Sequence, residues 1–523
     1  MKMACALTAA VLILGFSTMS QAEPLKVKTE QGKVQGKAIN NGKVNAFLGL
    51  PYAAPPVGDR RWKATEAPAK WKGTRDATKY GAHCAQGHVF DDMVFQDDGQ
   101  SEDCLFVNVY APADAKDKSK LPVMFWIHGG GYSGGGSNEP RHNGDFLPLK
   151  GVVLVTINYR LGVFGFLVTD ELAKEGDGAA GNYGMLDMIA ALHWVHDNIK
   201  NFGGDPANVT IFGESAGSFA VSTLMASPMA QGLFAKGIGE SGAAFPGGLA
   251  LGGDTVAARA KKDQIWVDSL GAKSLAELRA VPTDKILDSV KPGSPTKPGY
   301  SFPPDIDGRV LTEPVADTYA SGKQAHIPLL AGWNADEGSF FAMRGMTAAQ
   351  WNTMAAGLFK ERSEAFLKLY PGGDDAQALR SAIDYGSDNF IALGTWKWLE
   401  AQKKNGESPV YRYHFELAAT PSKFHPGTFA FHSDDIEYVF GTLDTRPGWN
   451  VRPEDRKLSD EVMTYWTNFA KTGDPNGAGL PTWPKLDADD SLIHLNEPIT
   501  AGPDSLRTRY AFLLEGIPPM QFQ

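Results

Sequence analysis

Short runs of β-branched, aliphatic and aromatic residues recur along the chain at Leu105–Tyr110, Val123–Ile127, Val152–Thr156, Val209–Phe212 and Ile327–Ala331. The last three are apolar throughout rather than alternating, the pattern of strands buried on both faces in a mostly parallel sheet covered by helices. Between Val152–Thr156 and Val209–Phe212, the residues Leu186, Ile189, Ala190, Leu192 and Ile199 fall at helical spacing, which predicts a crossover helix over 186–199. Strand and helix patterns in alternation imply an α/β architecture. The stretches Ala243–Pro304 and Phe341–Lys404 read as helical insertions over the site. The Pro- and Gly-rich patch Lys291–Pro304 reads as a loop inside the first of them. No internal repeat or low-complexity tract divides the chain, so residues 23–523 read as a single domain.

Directly after Val209–Phe212 comes Gly213-Glu214-Ser215-Ala216-Gly217, followed by the apolar helical pattern Ser218–Ala226. Strand, sharp turn and helix form the setting of a nucleophilic serine. Such a turn is strained, and it requires residues without side chains two positions before and two after the serine. Gly213 and Gly217 satisfy that requirement.

After the run Val123–Ile127 stands His128-Gly129-Gly130-Gly131-Tyr132. Glycines at the carboxyl end of a strand let backbone amides approach a substrate closely, and Gly130 and Gly131, with the amide of Ala216, would form an oxyanion hole. Gly129, Gly131 and Gly134 also satisfy the G-x-G-x-x-G pattern of dinucleotide sites. That site needs a helix opening at its last glycine and an acidic residue about 20 positions on, whereas Ser137–Arg141 reads as loop.

A serine hydroxyl needs a base to take its proton and an acid to orient that base. Where acid and base follow the nucleophile in the chain, the candidate bases are His326, His414, His425, His432 and His494. Spacing alone leaves that choice open.

Composition narrows the partners. Fifty Lys and Arg against 60 Asp and Glu give a net charge of −10, and no basic cluster follows a phosphate backbone, which excludes nucleic acid as a partner. The N-terminus has a positively charged start, an apolar run from Ala6 to Phe16, and Ser20-Gln21-Ala22 at the spacing a signal peptidase accepts. Residues 1–22 therefore read as a cleaved export signal and the mature chain as secreted or periplasmic, without stable membrane insertion. In an oxidising compartment the two remaining cysteines, Cys84 and Cys104, are expected to pair, closing a loop worth about 3 kcal/mol in the chain-entropy model. The sequence holds no H-E-x-x-H and no clustered Cys/His ligand set, so neither metal nor organic cofactor is implied. Nothing in the pattern specifies an oligomer.

Several ordered segments are similar to the type B carboxylesterases, the group of bacterial para-nitrobenzyl-type esterases and cholinesterases. They are Phe47–Pro56, Glu102–Leu105, the glycine and serine motifs above, Asn198–Pro206, Asn334–Gly338 and His432–Gly441. The resemblance runs nearly the whole mature length. It implies an α/β-hydrolase fold, with Glu337 as catalytic acid and His432 as base; Asp336 and His425 are the neighbouring competitors. Ser241 matches a serine near the family's histidine, a position that hydrogen bonding explains equally well. The activity implied is hydrolysis of a small-molecule carboxylic ester through an acyl-enzyme. The same machinery could act on a thioester, amide, carbamate or lipid ester, and a non-catalytic binding protein is disfavoured because all three triad positions are filled. Cholinesterases carry a tryptophan in the disulfide loop that attracts a quaternary ammonium group. Residues 85–103 contain none and offer only Phe90 and Phe95, which points away from choline esters. Phe219, Phe245, Tyr132 and Phe340 are candidates for the entrance.

Overall fold

The computed structural model describes residues 25–247, 252–291, 301–342, 345–405, 408–487 and 490–516. The expected export signal lies outside them, as do parts of both insertions.

Among the described residues, eleven strands form one sheet. In chain order they are β1 Lys37–Ile39, β2 Val44–Pro51, β3 Phe106–Pro112, β4 Leu121–Ile127, β5 Val153–Ile157, β6 Gly204–Glu214, β7 Lys236–Glu240, β8 Leu329–Asn334, β9 Val410–Phe415, β10 Ser491–Leu495 and β11 Thr500–Pro503. Their spatial order is β11-β10-β9-β8-β7-β6-β4-β5-β3-β2-β1. The block from β5 to β10 is parallel throughout. The margins β1, β2, β3 and β11 are antiparallel.

Both faces of the central strands are buried, which explains their continuous apolar runs. Val123, Phe125 and Ile127 of β4 join one core, while Met124 and Trp126 join the other. Helix α1, Tyr183–Asn198, and helix α2, Ala216–Ala226, contribute Leu192, Val195, Phe219 and Leu224 to the first core. On the opposite face, Trp126 meets Phe212 and Phe440 at 4.8 and 4.9 Å between ring centres, backed by Leu458, Val462 and Trp466 of the long helix Pro453–Thr472.

Strand β7 has no apolar run to announce it, since its sequence is Lys-Gly-Ile-Gly-Glu, yet every residue is buried. Its glycines answer to packing: a Cβ on Gly239 would lie 2.3 Å from the Trp398 ring and 2.7 Å from Ser218 Oγ. The crossover helix starts at Tyr183, one turn before the apolar pattern suggests, and its last residues, Ile199–Phe202, tighten into a 3₁₀ turn.

The described parts of the insertions are largely helical, with Val256–Leu270 and Thr283–Val290 in the first and Ala348–Phe359, Asp375–Ser387 and Leu393–Asn405 in the second. The second reaches the site through Phe390. Among the described residues, no helix is long and apolar enough to cross a membrane.

Candidate active site

Ser215 stands between the end of β6 and the start of α2 at φ 53° and ψ −122°, a backbone conformation costly to a residue with a side chain. Its amide donates to Glu240 O on β7 at 2.8 Å, and its carbonyl accepts from Phe219 N–H at 2.9 Å. The flanking glycines are obligatory for a second reason besides the turn. A Cβ on Gly217 would lie 2.0 Å from Ile127 O, and one on Gly213 2.5 Å from the same atom. Strand β4 thus presses directly on the turn.

The fold brings His432 and Glu337 to this serine from far along the chain. His432 Nε2 lies 2.9 Å from Ser215 Oγ, and Nδ1 lies 2.5 Å from Glu337 Oε2. A carboxylate can only accept, so Nδ1 carries the hydrogen and Nε2 offers its lone pair to the serine hydroxyl. Glu337 is fully buried just beyond β8, and its other oxygen accepts from Asn334 N–H at 2.8 Å and from Ser241 Oγ–H at 2.5 Å. Ser241 therefore bonds Glu337.

The remaining histidines are occupied elsewhere. His326 bonds Gly322 O, His425 stacks on Phe431 and faces Asp92, and His414 and His494 both bond Glu416. Asp336 has its own task, since it accepts from Ala430 N–H and Arg380. That pairing ties the segment before His432 to the end of β8.

Over the serine runs the glycine segment. Gly129 leaves no space for a side chain, because a Cβ there would stand 2.7 Å from Glu214 Oε2 and 3.0 Å from Ser215 Cβ. Gly130 and Gly131 adopt φ of 101° and 62°. Their N–H groups donate to no acceptor among the described residues. Ala216 opens α2, where the first amides have no intrahelical partner. His128 anchors the segment: burial pushes its imidazole down to about 4, Nδ1–H donates to Gly129 O, and its own carbonyl accepts from Tyr159 Oη–H.

One charged group escaped the sequence reading. Glu214, immediately before the nucleophile, is buried with Oε1 3.3 Å from His432 Nε2. Burial pushes its carboxyl up to about 8, against the pull of His432. For His432, burial acts downward and is outweighed by Glu214 first and Glu337 second, which together hold it up at about 9. The two groups therefore titrate as a pair. With Glu214 neutral, the imidazole loses one of the carboxylates that hold its proton. The only signal in the sequence is the acidic residue inside G-E-S-A-G.

Of the aromatics expected at the entrance, Phe219 and Phe245 line a cavity of about 360 Å³ one helical turn from Ser215, with Thr223, Ile306, Leu311 and Val315. Tyr132 is instead buried against Phe166. Phe340 packs edge-on against Phe390, whose ring stands 5.0 Å from His432 and walls the imidazole from the insertion side. Cys84 and Cys104 are joined as a disulfide. From the loop between them, Met93 packs against Gly130.

Over nearly its whole length the chain is similar to proteins of a known family. The model of the carboxylesterase family matches residues 23–512. The para-nitrobenzyl esterase of Bacillus subtilis (strain 168) is 37% identical over 471 residues, covering 88% of this chain and 92% of the relative. Fumonisin B1 esterase of Sphingopyxis macrogoltabida is 34% identical over 498 residues, covering 91% and 87%. Cocaine esterase of Homo sapiens is 33% identical over 519 residues, covering 93% and 90%. A solved structure of PNB esterase superimposes with a TM-score of 0.78 at 33% identity, covering 94% of this chain and 99% of that one. A match from residue 23 to 512, relatives of like length, and the strand order that carries Ser215 together place this chain in the carboxylesterase family, as an α/β-hydrolase that cleaves carboxylic esters.

Proposed function

We propose that Ser215 attacks the ester carbonyl, that His432 carries the proton, and that Glu337 orients the imidazole. The observation that supports this reading is the continuous chain from Ser215 Oγ through His432 to Glu337, at 2.9 and 2.5 Å. As Oγ bonds to the carbonyl carbon, its proton passes to Nε2, and the carbonyl oxygen gathers negative charge. The amides of Gly130, Gly131 and Ala216 stabilise that oxyanion, each such donor being worth about 10² to 10³ in rate. The imidazolium then gives its proton to the leaving alkoxide, releasing the alcohol and leaving the acyl group on Ser215. Water, deprotonated by the same nitrogen, releases the acid. Ser215→Ala is expected to lower hydrolysis of short-chain para-nitrophenyl esters by at least about 10³-fold with folding intact by circular dichroism. Retained activity would assign the reaction to another nucleophile.

Glu214 sets the pH at which the base works. Its charge holds a proton on His432, so Glu214→Gln removes that attraction and the imidazole pKa falls. The acidic limb of the kcat/KM profile, which reports the free enzyme's base, is expected to move to lower pH. A limb that stays in place or moves upward would contradict this.

The relatives' names cover unrelated esters, so acyl preference is read from this chain's own cavity. We place the acyl chain among Phe219, Phe245 and Val315. A tryptophan at that wall, Val315→Trp, is expected to lower kcat/KM for an octanoyl ester by about tenfold or more while sparing the acetyl ester, a loss on the scale of a few excluded methylenes. Equal losses for both would place the acyl chain elsewhere.

Secretion or residence in the periplasm is part of the same proposal, supported by the expected signal at residues 1–22, a family match that begins at residue 23, and the paired cysteines. N-terminal sequencing of the exported protein should begin at Glu23, with no free thiol titratable without reductant. An intact Met1 with two or more free thiols would contradict it.

A further inference from the structure

Two histidines that spacing offered as bases lie together on one face at the margin of the sheet. His414 of β9 and His494 of β10 are register partners on neighbouring parallel strands, so both side chains point the same way. Glu416, two residues after His414, shares that face. The alternate residues Tyr413 and Phe415 turn to the opposite core. Both imidazoles converge on a single atom: His414 Nδ1 lies 2.8 Å from Glu416 Oε1, and His494 Nδ1 lies 2.6 Å from it. The second carboxylate oxygen takes no protein donor among the described residues. On the inner side the Trp333 ring stands edge-on at 6.1 Å, while the cluster keeps 14%, 28% and 23% of its side-chain surface open at His414, Glu416 and His494.

The cation on the same face of β9 is engaged elsewhere. Arg412, two residues before His414 on the same face, pairs with Asp504 at 3.2 Å and donates to Asp490 O at 2.8 Å. Two imidazole nitrogens and one carboxylate oxygen, on adjacent strands and open to water on one side, are the donor set of a borderline divalent metal.

We propose that His414, Glu416 and His494 bind one zinc-class divalent ion, with water in the fourth position, and that this ion pins the C-terminal strands β10 and β11 to β9. The three ligand atoms already lie within 4.8 Å of one another. Around zinc, tetrahedral donors stand roughly 3.3–3.5 Å apart, given bonds of about 2.0–2.2 Å. The hydrogen-bonded contacts, at 2.8 and 2.6 Å, therefore open by about 0.5–0.9 Å, which side-chain rotation supplies without moving either strand. Each histidine presents the Nδ1 lone pair to the ion and keeps its proton on Nε2, a tautomer change that solvent mediates. The site lies apart from Ser215, and no step of ester hydrolysis passes through it.

The test uses the full chain without an affinity tag, stripped with EDTA, dialysed and titrated with zinc chloride by calorimetry. One ion per chain is expected, with a rise in thermal midpoint of about 3 °C or more in excess zinc. Even loss of a partner beyond the ligands costs 10- to 100-fold in affinity, so His494→Gln and Glu416→Gln are each expected to weaken zinc by at least about 100-fold. His425→Gln, a histidine outside the cluster, should leave it unchanged. Circular dichroism checks that each variant folds, and the visible absorption of tetrahedral Co²⁺ in the wild-type chain provides a readout that needs no variant. Absence of stoichiometric zinc, an octahedral Co²⁺ spectrum, or binding that survives both ligand substitutions would overturn the proposal.

Discussion

The structure around the site depends on one strained residue held where it would not rest by itself. The backbone angles of Ser215 cost on the order of 1–3 kcal/mol and persist only if the surroundings over-determine them. Three elements do so. Strand β7 accepts the Ser215 amide through Glu240 O, the first turn of α2 takes its carbonyl through Phe219 N–H, and β4 closes on Gly213 and Gly217 through Ile127 O. Ile127 immediately precedes His128 and the glycine segment. The carbonyl that fixes the serine turn thus belongs to the strand that delivers the candidate oxyanion donors, so a shift of one element displaces both.

The same economy brings the distant groups together. Glu337 follows β8, and the segment bearing His432 is bound to that strand end by Asp336 through both its amide and its carboxylate. Asn334 adds bonds to Phe431 O and Asp435. Parallel strands present their carboxyl ends on one edge of the sheet, so Ser215, Ser241 and Glu337, which follow β6, β7 and β8, stand side by side despite long separations in the chain. Inside this buried cluster, charges interact strongly. Glu214, Glu337 and Asp435 surround one imidazole, and burial raises Glu214 and Asp435 alike. Burial thus holds Glu214 and Asp435 toward their neutral forms beside the imidazole.

How much of this could be read in the sequence varied with the reach of the signal. Val152–Thr156, Val209–Phe212 and Ile327–Ala331 mark buried strands because both faces need apolar residues. Lys236–Glu240 does not, since Gly239 serves the close packing of Trp398 and Ser218 and Gly237 that of Met225. The turn at Ser215 was legible because it is local and needs glycines two residues before and after it. Five later histidines were indistinguishable by spacing, and only resemblance singled out His432; the fold separates them by partner. Glu214 carried a visible letter but no visible function, because its meaning lies in burial beside His432. His414, Glu416 and His494 form no motif, as 78 residues separate Glu416 from His494. Only the register of β9 against β10 brings them together.

The claim that most of this rests on is that the Ser215 hydroxyl is the activated nucleophile. It is tested most directly by treating the protein with a fluorophosphonate and mapping the adduct by peptide mass spectrometry. The account predicts one stoichiometric adduct on Ser215, formed at a rate that follows deprotonation of His432. A modified residue other than Ser215, or no adduct on protein that still hydrolyses esters, would contradict it.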